Sequence, residues 1–293
     1  MGKRGQEVNI PKEIDLLDPE FWSREWQKAA EASSLSRKNF IDEDWIDFWS
    51  HISQSYRSRI EYESNMVNEI IHFFLSEGLL TQKSAVLDIG CGPGTFALPL
   101  ARLAAHILAL DPAQRMLDLL MDEARRQGFS NITPLCQRWE EAGFKREFDL
   151  VLASFSPAIR NTESLHKMQQ ASRRYCCLIT SSEAENFRVR NELWERILGE
   201  PFHSSAFHLI YPFNYLYACG FRPHIRFFRN ALRYEEAVET LVDWYEHYFE
   251  MFVELNGPKR RLLRQYFEER ASDGVVRMDE TRAFAMMWWE VEP

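Results

Sequence analysis

One stretch, Val86-Leu87-Asp88-Ile89-Gly90-Cys91-Gly92-Pro93-Gly94-Thr95, constrains the fold more than any other part of the chain. The apolar run that leads into it, residues 85–89, reads as a parallel strand buried on both faces. Glycines at alternate positions follow, and an apolar pattern at helical spacing then resumes. Lacking Cβ atoms, Gly90, Gly92 and Gly94 let the backbone turn sharply and approach a ligand, while a helix start offers N–H groups. Strand, glycine turn and helix in that order open a βαβ unit, so a parallel sheet with helices on both faces is expected.

The alternation continues downstream. Residues 95–105 read as helix and 106–110 as strand. Residues 113–126 form an amphipathic helix with Met116, Leu117, Leu120, Met121 and Ala124 inward, closed by Gly128. Residues 132–136 make a weaker strand interrupted by Pro134, 148–153 a clear strand, 164–174 a helix and 175–180 another buried strand. Beyond residue 182, helices are expected over 186–198, 213–219, 235–255 and 258–270, with a strand over 225–231. Two final strands, 274–278 and 282–291, flank a turn at Asp279 and Glu280. Upstream of the sheet, residues 1–15 are a polar arm, and apolar residues at helical spacing predict helices starting at Asp18, over 41–56 and over 65–77.

Composition narrows what such a fold does. A net charge of −9 disfavours general nucleic-acid binding, because an acidic surface repels phosphate. No apolar run approaches the roughly 20 residues needed to span a bilayer, and no signal core opens the chain, so a cytoplasmic location is expected. Five cysteines without a CxxC pair read as reduced thiols, and eight histidines without HExxH spacing give no metal site. The aromatic content of 14%, with nine Trp, exceeds what a minimal core requires. Much of it falls in the helices flanking the sheet, which predicts a roofed apolar pocket.

The glycine loop alone is also compatible with a dinucleotide site. Two further features separate the readings: an acid, Asp88, two residues before Gly90, and a second strand ending Leu108-Ala109-Leu110-Asp111, whose carboxylate sits beside the loop. Together these motifs resemble the class I S-adenosylmethionine-dependent methyltransferases over residues 84–182. The resemblance implies a doubly wound, seven-stranded, mostly parallel sheet with S-adenosyl-L-methionine as cofactor. It places Asp88, Gly90, Gly92 and Gly94 at the methionine end, Asp111 on the ribose and Pro112 against the adenine. Cys91 would be a small filler within the loop. After the third strand, Cys136-Gln137-Arg138-Trp139 stands where family members often carry an acid for the adenine amino group, with Gln137 and Arg138 as the residues in place. Ser154-Phe155-Ser156-Pro157 occupies the fourth-strand tip and lacks the Asn/Asp-Pro-Pro-aromatic signature of adenine and glutamine methylation, leaving Ser154 as the site residue there. The run from Trp49 to Tyr56 is similar to the helix whose terminal Tyr closes over the cofactor, which adds Tyr56.

The expected organisation is an arm and helical cap over 1–80, a cofactor-binding core over 81–234, a helical insertion over 235–273 and C-terminal strands over 274–293. The expected activity is methyl transfer to a small, apolar or aromatic acceptor under the cap. An RNA or protein methyltransferase, or a non-catalytic cofactor-binding regulator, are the alternatives. His203, His208, Tyr211 and Tyr215 are the nearest candidates for a general base, which stays unassigned, as does the oligomeric state.

Overall fold

The computed structural model describes residues 14–37, 43–182, 187–203 and 207–292, with the backbone alone of 54–64, 230–234, 280 and 282. Its centre is a sheet built from β1 (Ala85–Ile89), β2 (His106–Asp111), β3 (Ile132–Cys136), β4 (Phe148–Ser154), β5 (Ser172–Ser181), β6 (His224–Ala237), the two-residue β7 (Ala271–Ser272) and β8 (Val275–Glu290). The order is β3-β2-β1-β4-β5-β8-β6, with β7 paired to β8. Strands β1 to β5 run parallel, and β8 is antiparallel to both β5 and β6. This is the doubly wound, seven-membered, mostly parallel sheet that the family resemblance implied, with β7 as a small addition. Pro134 sits on β3, the edge, opposite Ala109, where a missing N–H costs little.

Alternating side chains of each strand enter two cores. On one face Val86, Leu150, Leu152, Cys177, Phe284 and Met286 pack against α3 (Ala97–Ala101), α4 (Gln114–Gln127) and the second half of α2 (Glu43–Ser76). On the other, Leu87, Ile89, Val151, Ala153, Cys176 and Met287 meet α1 (Pro19–Glu31), α5 (Thr162–Ala171) and α7 (Ile210–Ala218). Burial on both faces is why these strands read as continuous apolar runs.

Four elements differ from the sequence expectation, each for a local reason. The helices expected over 41–56 and 65–77 are one 34-residue helix, α2, because no Gly or Pro interrupts it. The helix expected over 95–105 shortens to α3, since turns carry the loop through Phe96. The strands expected over 274–278 and 282–291 are the single β8. Asp279 and Glu280, read as a turn, lie in register with Arg233 and Leu232 of β6. Strand β6 likewise continues to Ala237, so the following helix, α8, spans Val238–Glu250 rather than beginning at 235. Opposite charges stabilise this extension: Arg277 Nε donates to Glu235 Oε1 at 2.9 Å across the ladder.

The merged strands make an arm. β5 ends its pairing with β8 at Ser181 opposite Phe284, whereas β6 and β8 continue to Ala237 opposite Val275. The arm therefore projects beyond the end of the sheet at which β1, β4 and β5 finish. It carries α8 and α9 (Gly257–Glu268), which join α6 (Arg188–Leu198) and the first half of α2 in a third core of their own.

That core corrects the expectation of an aromatic-lined roof. Trp45, Phe48, Trp194, Tyr248 and Phe249 are buried, and their rings meet edge-on or tilted, with Trp45 and Phe48 6.1 Å apart and Trp194 and Phe249 6.0 Å apart. The aromatic surplus is consumed in building the cap, because four helices held away from the sheet need their own apolar interior.

Candidate functional site

The loop joining β1 to α3 is held by the end of β2. Gly90 N–H and Cys91 N–H both donate to Leu110 O, at 2.8 and 3.1 Å. Asp111 accepts from Gly92 N–H through Oδ2 and from Ala113 N–H through Oδ1, each at 2.9 Å. The carboxylate at the tip of β2 thus pins the loop and holds the backbone N–H of Ala113, the residue that leads into α4. The loop's N–H groups are largely spoken for by this strand end, and the five-residue α3 adds little of the helix-start donation expected from sequence.

The three glycines have distinct reasons to be glycine. All have positive φ, at 70°, 53° and 97°. A Cβ on Gly90 would lie 2.3 Å from Ser156 Oγ, and one on Gly94 would lie 2.5 Å from Leu120 Cδ1. Gly90 therefore meets the tip of β4, and Gly94 makes room for α4. A Cβ on Gly92 would meet nothing within 4 Å, so the open side of the loop is there.

Asp88 and Asp111 lie 2% and 8% exposed, close enough for their charges to interact. Burial, then the Asp111 charge, pushes the Asp88 carboxyl up to about 7, against an opposing hydrogen bond from the Ala97 backbone. Burial pushes Asp111 up to about 6, opposed by the Ala113 and Gly92 N–H groups. Asp88 Oδ2 is buried with no hydrogen-bond partner among the described residues. A buried, unpaired carboxylate oxygen is costly, and it fits a cationic or N–H-bearing ligand at this position. Cys91 is buried, with its thiol donating to Gly92 O at 3.5 Å and its pKa raised by burial, so it fills space rather than supplying a thiolate.

The remaining expected residues surround this loop unevenly. Pro112 and Gln137 are half-buried at the ends of β2 and β3. Arg138 is ion-paired with Glu43 at the first turn of α2, so the cap helix starts beside the end of β3. Ser154 closes β4, paired with Ile179. The side chain of Tyr56 lies outside the described residues.

The base candidates are placed less favourably. Tyr215 is buried and 2.5 Å from His166 Nε2, and burial raises its pKa, so it stays protonated. His208 Nδ1 accepts from Ile210 N–H, and the backbone of His203 pairs with Ser34. Sequence reading passed over one residue, Phe155. Its φ is 48°, uncommon for a bulky side chain, and its ring is 42% exposed at the tip of β4. Phe155 N–H donates to Ile179 O, which fixes that turn, and the ring meets Phe284 edge-on at 5.9 Å.

Glycine loop, buried acid pair and strand order together define a doubly wound methyltransferase-type domain, and known proteins agree. The family described as "Methyltransferase domain" matches residues 86–176. An uncharacterized protein of Haemophilus influenzae is 27% identical over 71% of this chain and 76% of its own length. A ubiquinone biosynthesis O-methyltransferase of Methylocella silvestris is 29% identical over 43% of this chain and 52% of its own. A 23S rRNA (uracil(1939)-C(5))-methyltransferase of Klebsiella pneumoniae is 32% identical over 33% of this chain and 24% of its own. Among solved structures, magnesium protoporphyrin IX methyltransferase of Synechocystis with bound S-adenosylhomocysteine matches 85% of this chain and 95% of its own, with a TM-score of 0.50 at 14% identity. Over residues 86–176 the chain matches a methyltransferase domain, and its sheet has the fold of the class I S-adenosylmethionine-dependent methyltransferases.

Proposed function

We propose that this methyltransferase acts on a small, apolar or aromatic acceptor presented at the tip of β4 beneath the α2, α8 and α9 cap. The observation that carries the reading is Phe155. An exposed aromatic ring held in a left-handed backbone costs about 1–3 kcal/mol, and such strain is kept where a side chain must be aimed. The ring follows directly on Ser154 and precedes Ser156, which packs on Gly90. The O-methyltransferase among the relatives supports a small acceptor, although the chain spans about half of its length.

In this reading the cofactor is held by Asp88, Gly90, Cys91, Gly92, Gly94, Asp111, Pro112, Gln137, Arg138 and Ser154. When bound, S-adenosylmethionine supplies an electrophilic methyl on a sulfonium. The chain's own work is alignment and exclusion of water. Asp88 Oδ2 would gain the partner it lacks, Asp111 would keep the loop in its turn, and Phe155 would stack the acceptor at the β4 tip. Within the expected cap, residues 1–80 with 235–273, the first half of α2 with α8 and α9 would then select the acceptor, while α1 and the second half of α2 pack on the sheet that would carry the cofactor. Among the described residues no helix is long and apolar enough to cross a membrane. The unpaired state of all five cysteines accords with work in the reducing cytoplasm.

The test has two stages. Calorimetric titration with S-adenosylmethionine and S-adenosylhomocysteine should give micromolar binding that Asp111→Ala abolishes. Incubation with isotope-labelled cofactor and a panel of hydroxylated aromatic compounds, read by mass spectrometry, should then give a labelled product. Phe155→Ala should raise KM for that acceptor about tenfold while cofactor affinity holds. Labelling of RNA or protein in place of every small acceptor would overturn the proposal.

A further inference from the structure

The third core ends, at the surface, in a side-chain cluster that the methyl-transfer site does not use. His51 lies on α2, and Asp243 and His247 lie one turn apart on α8, 192 residues further along the chain. His51 Nε2 is 2.8 Å from Asp243 Oδ2, and His247 Nδ1 is 3.4 Å from Asp243 Oδ1. The two imidazole rings stack face to face, with centroids 3.5 Å apart and planes 20° from parallel. One candidate ligand atom from each residue lies within 4.8 Å of the others.

We propose that His51, Asp243 and His247 form a binding site for a divalent transition-metal ion of the zinc class, which ties the cap helix α2 to the inserted helix α8. Two imidazoles and one carboxylate are the donor set that zinc accepts, with a fourth position left to water. Tetrahedral coordination at bonds of about 2.0–2.2 Å sets donors roughly 3.4 Å apart, so closing this cluster needs donor shifts on the order of an ångström and a splaying of the two stacked rings that turns their in-plane lone pairs onto one ion. The orientation is partly prepared. His247 Nδ1, the nitrogen that faces the Asp243 carboxylate, also lies 2.8 Å from the Asp243 carbonyl of its own helix, and with the ring proton on Nε2 its lone pair would turn from there to the ion. On the other helix, the ion would take the place of the proton between His51 Nε2 and Asp243 Oδ2, with the imidazole proton moving to Nδ1. Side-chain exposures of 38%, 58% and 39% for His51, Asp243 and His247 leave an entry path and room for coordinated water. They also mean that each residue can be replaced without opening the core beneath.

The full-length protein, stripped with a chelator and dialysed, is titrated calorimetrically with zinc chloride. One ion per chain is expected to bind, and addition of zinc should raise the midpoint of thermal unfolding. His51→Ala, Asp243→Ala and His247→Ala should each weaken binding about tenfold or more and remove the thermal shift, while His72→Ala on the same α2 leaves both unchanged. In the wild-type protein the imidazole NMR signals of His51 and His247 should shift together at one equivalent of metal. Far-ultraviolet circular dichroism checks that the variants remain folded. Failure to bind one equivalent, or uptake that persists in His51→Ala and His247→Ala and tracks the exposed Cys136 thiol instead, overturns the site.

Discussion

At the scale of single residues, the glycine loop separates backbone freedom from close packing. Gly92 needs only its positive φ, which costs an alanine about 1–2 kcal/mol, whereas Gly90 adds a Cβ position 2.3 Å from Ser156 Oγ. Gly92→Ala should therefore lower stability by about 1–2 kcal/mol, and Gly90→Ala by about 2–5 kcal/mol once overpacking is included. Urea-unfolding midpoints measure both. The double variant Gly90→Ala with Ser156→Gly should recover the packing part alone, and equal losses for the two single variants would show that Ser156 yields freely. Asp88, Asp111 and the glycines were legible because all lie within a 24-residue span whose spacing is itself the signal. Phe155 was not, since nothing in Ser154-Phe155-Ser156-Pro157 announces a left-handed backbone at a phenylalanine.

At the scale of elements, period and punctuation carried the reading as far as the sheet and failed on the arm. Strands β1, β2 and β4 were legible because burial on both faces makes them short apolar runs. The far halves of β6 and β8 have only each other and the two-residue β7 beside them, and so carry charged residues that read as helix start or turn. Aromatic density in α8 was visible, but not its destination: a stripe of Trp, Tyr and Phe looks the same whether it lines a pocket or fills a core. The third core makes a prediction of its own. Phe249 is fully buried there, so Phe249→Ala should cost about 3–5 kcal/mol. Because its neighbours are α2, α6, α8 and α9, hydrogen exchange should speed most in those helices, with β1 and β4 still protected. Uniform loss of protection across the chain would mean that cap and sheet unfold as one unit.

At the scale of the whole molecule, the glycine loop keeps two buried acids at a cost to stability, and pH exposes that cost. Asp88 and Asp111 have ordinary carboxyl values of 3.8 raised to about 7 and about 6 in the folded protein. Between pH 4 and 7 the folded state therefore holds more protons at these groups than the unfolded state does. Their contribution to stability is full below about pH 4 and is lost as pH rises through 6 and 7, by up to roughly 1.4 kcal/mol per pH unit for each group. Asp88→Asn keeps the size of the side chain and removes one of the two titrations. Relative to that variant, the wild-type protein without cofactor should become progressively less stable between pH 5 and pH 8, as read from urea midpoints at each pH. A difference that stays constant with pH would mean that Asp88 is not held neutral by burial. S-adenosylmethionine carries a positive sulfonium and ammonium, and an ionised Asp88 favours a cation where a neutral one does not. Saturating cofactor should therefore flatten the pH slope of the wild type and leave Asp88→Asn nearly unaffected. On the proposed reading, the energy that ionisation of Asp88 withholds from the fold at neutral pH would be returned on cofactor binding, which is what a buried acid pair beside a ligand loop is suited to do.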